Sequence, residues 1–174
     1  HLVSTAIDLS TTQIHELLVE RILAFLHNDT IWDVTLISYR EDSEELALKQ
    51  EQALKPVTQH LKQKYSIEAP TCTGFESPKF SEASVEQFKT HCQTLDNYQI
   101  VALESAASFC KSTGISLALL DMAISIEHAM FCSRMEENFQ IAEHGYVEGS
   151  HDVEEANLRM MLAASRCLIS LKNL

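Results

Sequence analysis

Glycine, proline and tryptophan are scarce in this 174-residue chain, which holds 4 Gly, 3 Pro and 1 Trp. So few glycines leave no Gly-rich turn to cradle a phosphate, and no GxSxG elbow is present to expose a nucleophilic serine. Positive charge is thin as well. With 13 Lys and Arg against 25 Asp and Glu, the formal charge is -12. That balance speaks against nucleic acid and against anionic membrane surfaces, both of which reward basic residues. The most apolar segment, residues 115–126, is too short to cross a bilayer and is interrupted by Asp121. No membrane insertion is therefore expected.

No CxxC pair occurs. The five cysteines (Cys72, Cys92, Cys110, Cys132 and Cys167) are odd in number and scattered, several on apolar helix faces. That usage fits free, buried thiols in a reducing compartment. No cysteine has a His partner in a local signature, so the thiols are expected to be core residues. The chain shows no signal peptide at its start and does not begin with Met, so an upstream segment is expected to have been removed, processed or left out.

What is present is a globular composition, 45% apolar, enough for one domain with a small annex. Residues 1–80 are expected to form a helix-strand-helix annex, and residues 81–174 a helical core domain. Ser10 and Gln13 make a capping box ahead of a helix with Ile14, Leu17, Leu18 and Ile22 at helical spacing. Residues 30–38 are rich in β-branched and aromatic side chains and predict a strand, which residues 67–75 could pair with. A helix over residues 41–65 contains Pro56, expected to kink or break it near Lys55. Ser84 with Gln87 and Asp96 with Gln99 predict two further capped helices. Gly114 is expected to end the second of these. The fold class expected is mainly α: a helical bundle with a small β element at about 30–38 and 67–75.

The distinctive stretch is Cys132 to Asp152, CSRMEENFQIAEHGYVEGSHD. It reads as an acidic helix, capped by Ser125, closed by Gly145 and followed by a second acidic turn. Phe131, Met135, Phe139 and Ala142 share one face and are expected to pack on the apolar helix before it. Glu136, Gln140 and Glu143 share a flank, while Glu137 points away, so Glu136 and Glu137 cannot act as one catalytic pair. A charge run on a helix is ordinarily a solvated face. The functional alternative is a patch offering carboxylate and amide acceptors to a partner's Arg or backbone groups. His144, Glu148, His151 and Asp152 lack metal-ligand spacing, so neither metal nor cofactor is expected; His151 or Asp152 would instead cap the last helix.

SRMEENFQIAEHGYVEGSHD resembles the signature segment of the mitochondrial assembly chaperones that attend the alpha subunit of the ATP synthase catalytic head. Ser133, Arg134, Glu136, Glu137, Phe139, Gln140, Ile141, Gly145, Glu148, His151 and Asp152 match it. Thr5 to Asp8, Asn28 to Ile31, Gln50, Pro56, Ser116, Leu117, Ala118, Leu120 and Asp121 extend the likeness upstream. Departures are Leu54-Lys55 for Trp-Asp, Asp33-Val34 for Tyr-Arg, Asn138 for a third Glu and His144 for Trp; the family's amino-terminal β-rich portion has no counterpart. The resemblance implies a non-enzymatic protein of the mitochondrial matrix. It would hold the unassembled alpha subunit until the beta subunit replaces it, without nucleotide. It also implies that Glu136, Glu137, Gln140, Glu148 and Asp152 contribute to partner binding. The alternative is a chaperone-derived structural subunit built permanently into ATP synthase or another large mitochondrial complex. An enzyme would instead need a cleft in which acids converge.

Overall fold

The computed structural model describes residues 1–8, 12–29, 31, 43–67 and 80–172. Helices account for nearly all of them: α1 (Leu2–Asp8), α2 (Thr12–His27), α3 (Ser43–Tyr65), α4 (Glu82–Thr94), α5 (Asn97–Cys110), α6 (Thr113–Leu120), α7 (Ile126–Ser133), α8 (Met135–His144) and α9 (His151–Lys172). The expected β element is not seen. Among the described residues there is no strand, and most of 30–38 and 67–75 lies outside them. Ile31 and Ile67, the described residues of those segments, serve as buried core plugs. The Ser10–Gln13 box and Trp32 likewise fall where no side chain is described.

The core is built around α5 and α6. Asp96 starts α5 with the expected capping box: its Oδ1 accepts the Tyr98 and Gln99 N–H groups at 3.0 and 2.9 Å, and Gln99 Oε1 accepts the Asp96 N–H at 3.1 Å. Helix α5 packs on α1, α2, α6, α7 and α9, and α6 packs on α2, α3, α5, α7 and α9. Seven of the eight residues of α6, Thr113 through Leu119, are buried. An all-round apolar helix is stable only in such an enclosed position.

Four expectations about helix boundaries need correction. Helix α5 ends at Lys111, which adopts the left-handed conformation at φ 54°, and not at Gly114. Ser112 then caps α6 by accepting the Ile115 N–H at 3.0 Å, with Gly114 inside its first turn. The apolar helix stops at Leu120 instead of running to Ile126, and Met122 turns the chain at φ 61°. Pro56 neither ends nor interrupts α3. Proline withdraws one backbone donor, but Ala53, Val57 and Leu61, spaced by one helical turn, are all buried. That stripe carries the helix through. From α7, the His128 Nε2–H donates to the Ala53 carbonyl at 2.7 Å, fastening α3 beside the proline. Helix α4 begins one turn before the expected box: Ser81, not Ser84, is its cap, accepting the Ser84 N–H at 3.1 Å.

Asp121, where α6 ends, ties α3 to this core. Its carboxylate accepts from His60 Nε2 and Tyr65 Oη, both at 2.7 Å, and from Lys64 Nζ. Burial alone would raise its pKa, but the bonds from Lys64, His60 and Tyr65 outweigh burial and hold it below the usual carboxylate range. A carboxyl with a depressed folded pKa stabilises the fold above its unfolded value near 3.8, and that contribution is lost as pH falls through the folded value. Asp121→Asn should therefore cost about 1–3 kcal/mol at pH 7. In urea titrations across pH the deficit should shrink below pH 4; a deficit that stays constant would show that the charge contributes nothing.

Candidate protein-binding surface at the α7–α9 elbow

The acidic stretch is two helices, not one. Ser125 caps α7 by accepting the His128 N–H at 3.1 Å, as expected. At Arg134 the backbone leaves helical geometry (φ -112°, ψ 11°), and α8 starts afresh at Met135. The supposed packing face is split by this elbow. Met135 is buried and Phe139 partly so, but Phe131 and Ala142 are exposed.

Arg134 explains the elbow. It is 7% exposed, the one charged side chain among the buried described residues besides Asp29. Its Nη2 donates to Glu137 Oε1 at 2.7 Å, its Nη1 reaches the His151 carbonyl at 3.4 Å, and Glu155 lies 3.8 Å away. A buried guanidinium needs such acceptors, and these come from the first turns of α8 and α9. The sole base in an acidic run was the available sequence signal for this role. It is easily passed over because the acids outnumber it.

The expected binding residues fall in different settings. Glu136 lies in the first turn of α8, its side chain outside the described set. Glu137 is half-buried and engaged with Arg134. Gln140 is exposed on α8, Glu148 is exposed in the turn after it, and Asp152 is exposed in the first turn of α9. The expectation that His151 or Asp152 caps α9 needs adjustment: the helix begins at His151 itself, whose Nδ1 accepts the Val147 N–H at 3.1 Å.

Apolar side chains that the charge run does not reveal stand among these acids. Tyr146, Val147 and Val153 are 51%, 57% and 51% exposed. The Tyr146 ring meets His151 edge-on at 5.2 Å. Partial desolvation and then the charges of Asp152, Glu155 and Glu148 hold the Tyr146 phenol above its ordinary range, so these groups share one neighbourhood. A tyrosine and two valines ringed by carboxylates make a mixed surface of the kind protein interfaces use.

Between the end of α5, the elbow and α9 lies an open cleft of about 340 Å³, lined among others by Phe109, Lys111, Arg134, Glu137 and Glu154. Among the described residues no three His, Cys, Asp or Glu side chains are grouped to hold a metal ion. Cys92, Cys110 and Cys132 are buried, and burial pushes their thiols up to about 12, 12 and 11; Cys167 is exposed. No described helix is long and apolar enough to cross a membrane.

No family model matches the chain. It is 28% identical to the mitochondrial protein atp12 of Schizosaccharomyces pombe over 96% of its length. It spans 58% of that relative. In fold it is similar to the crystal structure of Atp12 from Paracoccus denitrificans, with a TM-score of 0.79 at 19% identity, covering 98% of this chain and 70% of the other. It also resembles the Atu1473 protein of Agrobacterium tumefaciens, with a TM-score of 0.73 at 20% identity over 97% of this chain and 60% of that one.

Proposed function

We propose that this chain, similar to atp12 in sequence and to Atp12 in fold, is a non-catalytic assembly chaperone of the mitochondrial matrix that holds the unassembled alpha subunit of ATP synthase until the beta subunit replaces it. The observation that carries the binding role is the elbow surface, where exposed Tyr146, Val147 and Val153 stand among Glu148 and Asp152. An apolar centre lets a partner bury area, and a rim of carboxylates selects a partner with basic or donor groups. Gln140, Glu148 and Asp152, all exposed, are the most available of these acceptors, and Glu136 of α8 is proposed to act with them. Glu137 contributes by holding Arg134 in place.

The test is binding of purified alpha subunit, free and within assembled ATP synthase. Wild type should capture the free subunit only. Combining Tyr146→Ala with Asp152→Lys should weaken capture at least tenfold while leaving thermal unfolding unchanged, since both side chains are exposed. Absence of any binding to the free subunit would defeat the proposal. Stoichiometric migration with the mature complex would favour a permanent structural subunit instead.

A further inference from the structure

Helix α9 is apolar on two sides. Leu158, Leu162, Ser165 and Leu168 turn to the core, where α9 meets α1, α5, α6 and α7. At about 100° per residue, a second apolar stripe falls on the far side. Val153, Met160 and Cys167 recur at every seventh residue, Ala156 and Ala163 follow the first two by three, and Leu171 follows the last by four. All but half-buried Ala163 are exposed. A seven-residue repeat of this kind is the pattern by which one helix lies along another. The charges beside the stripe identify the helix that fits. In a chain of charge -12, α9 is balanced, with Asp152, Glu154 and Glu155 against Arg159, Arg166 and Lys172. Two copies can therefore meet along α9 without the repulsion the whole chain carries. One flank of the stripe holds Asp152, Arg159 and Arg166 at the same seven-residue interval, acid first and base last. Neither Asp152 nor Arg166 has an ion-pair partner among the described residues, while Arg159 Nη1 lies 3.4 Å from Glu127 of α7.

We infer that α9 pairs antiparallel, stripe to stripe, with α9 of a second copy of this chain. In that arrangement the charged flank of each copy faces the same flank of the other in reverse. Asp152 of each copy then meets Arg166 of the other, and the two Arg159 side chains that meet at the centre each bring a Glu127 with them. Val153 and Met160 fall against Ala163 and Ala156 of the other copy, large against small. Parallel pairing would lose both features: the charged flank would face Asn157, Ala164 and Leu171, and Met160 would meet Met160. The stripe is about 27 Å long and one helix wide, well under the roughly 800 Å² per partner of a standard complex. Pairing is therefore weak and reversible, with a Kd on the order of 10 μM. On the binding role proposed above, Val153 is common to the stripe and the elbow surface, so a second copy and a client exclude one another there.

Sedimentation velocity of the full chain, from about 1 μM to about 200 μM, tests this without the alpha subunit. A reducing agent keeps exposed Cys167 from linking copies covalently. Wild type should pass from monomer to dimer across that range. Met160→Glu should weaken pairing about tenfold or more at unchanged thermal unfolding, since the side chain is exposed. Asp152→Arg and Arg166→Asp should each weaken it about fivefold, because each lost pair occurs twice, and the two changes together should restore it. A monomer throughout, a dimer indifferent to Met160→Glu, or charge reversals that add instead of cancelling overturns the inference. If the dimer forms as described but the chain captures no alpha subunit, the proposed function fails and the pairing stands.

Discussion

Asp29→Ala is expected to destabilise the protein by about 3 kcal/mol near pH 5, because its carboxyl organises the start of α6 from outside that helix. Asp29 is 1% exposed. Its Oδ2 accepts the Gly114 N–H at 2.9 Å, and its Oδ1 takes the Ile31 N–H at 3.4 Å. Alanine leaves buried backbone donors unpaired, at about 1–3 kcal/mol each, and opens a small void. Burial disfavours the carboxylate more than the bonds from Gly114, Ser112, Ile31 and Thr113 favour it, so the pKa rises from 3.8 to about 7. A carboxyl with a raised folded pKa holds its proton more tightly when folded. Its contribution is fully present below pH 3.8 and is lost as pH rises through 7. Complete titration of that shift is worth on the order of 4 kcal/mol, as an upper bound. Asp29→Asn, which mimics the neutral acid, should remove this slope. Urea denaturation of wild type and both variants between pH 4 and 8 checks it. A constant difference between wild type and the asparagine variant would mean that Asp29 is ionised throughout.

Gly114→Val should cost about 3 kcal/mol. A Cβ at this position would sit 2.3 Å from Ile31 Cδ1, 2.9 Å from Leu61 Cδ1 and 3.5 Å from Asp29 Oδ2. The first two atoms are side-chain tips, so a single methyl can be admitted by rotation at the usual overpacking cost of about 1–3 kcal/mol. Valine adds two carbons in an interior where Leu61 is fully buried, and Gly114→Ala should fall between it and wild type. Because Asp29 and Gly114 touch, Asp29→Ala combined with Gly114→Val should cost less than the separate losses together. Strict additivity in thermal unfolding would count against crowding at this contact.

The same junction shows what a sequence can and cannot convey. The capping box of Asp96 and Gln99 is legible because its bonds span three residues. Ser81 and Ser84 are both suitable caps, and their hydroxyls lie 2.8 Å apart, so local chemistry does not choose between them. Gly114 looks like a breaker because glycine usually is one in a helical pattern. Its actual role, clearing space for Ile31 and Leu61, depends on residues far away in the chain. Pro56 is misleading for the same reason, since the buried stripe that carries α3 past it is a tertiary fact. The acids of the elbow were visible as a charge run. Arg134 at their centre acquires its meaning only when α8 and α9 fold back around it, and the exposure of Tyr146, Val147 and Val153 follows from that turn.

Helix α5 has neighbours drawn from both directions along the chain: α1 and α2 precede it, and α6, α7 and α9 follow, with α9 its most extensive partner. During synthesis the apolar flank awaiting α9 stays bare until His151–Lys172 has left the ribosome, after everything it must cover. A protein proposed to shelter unassembled chains thus passes through an unsheltered interval of its own while it is being made.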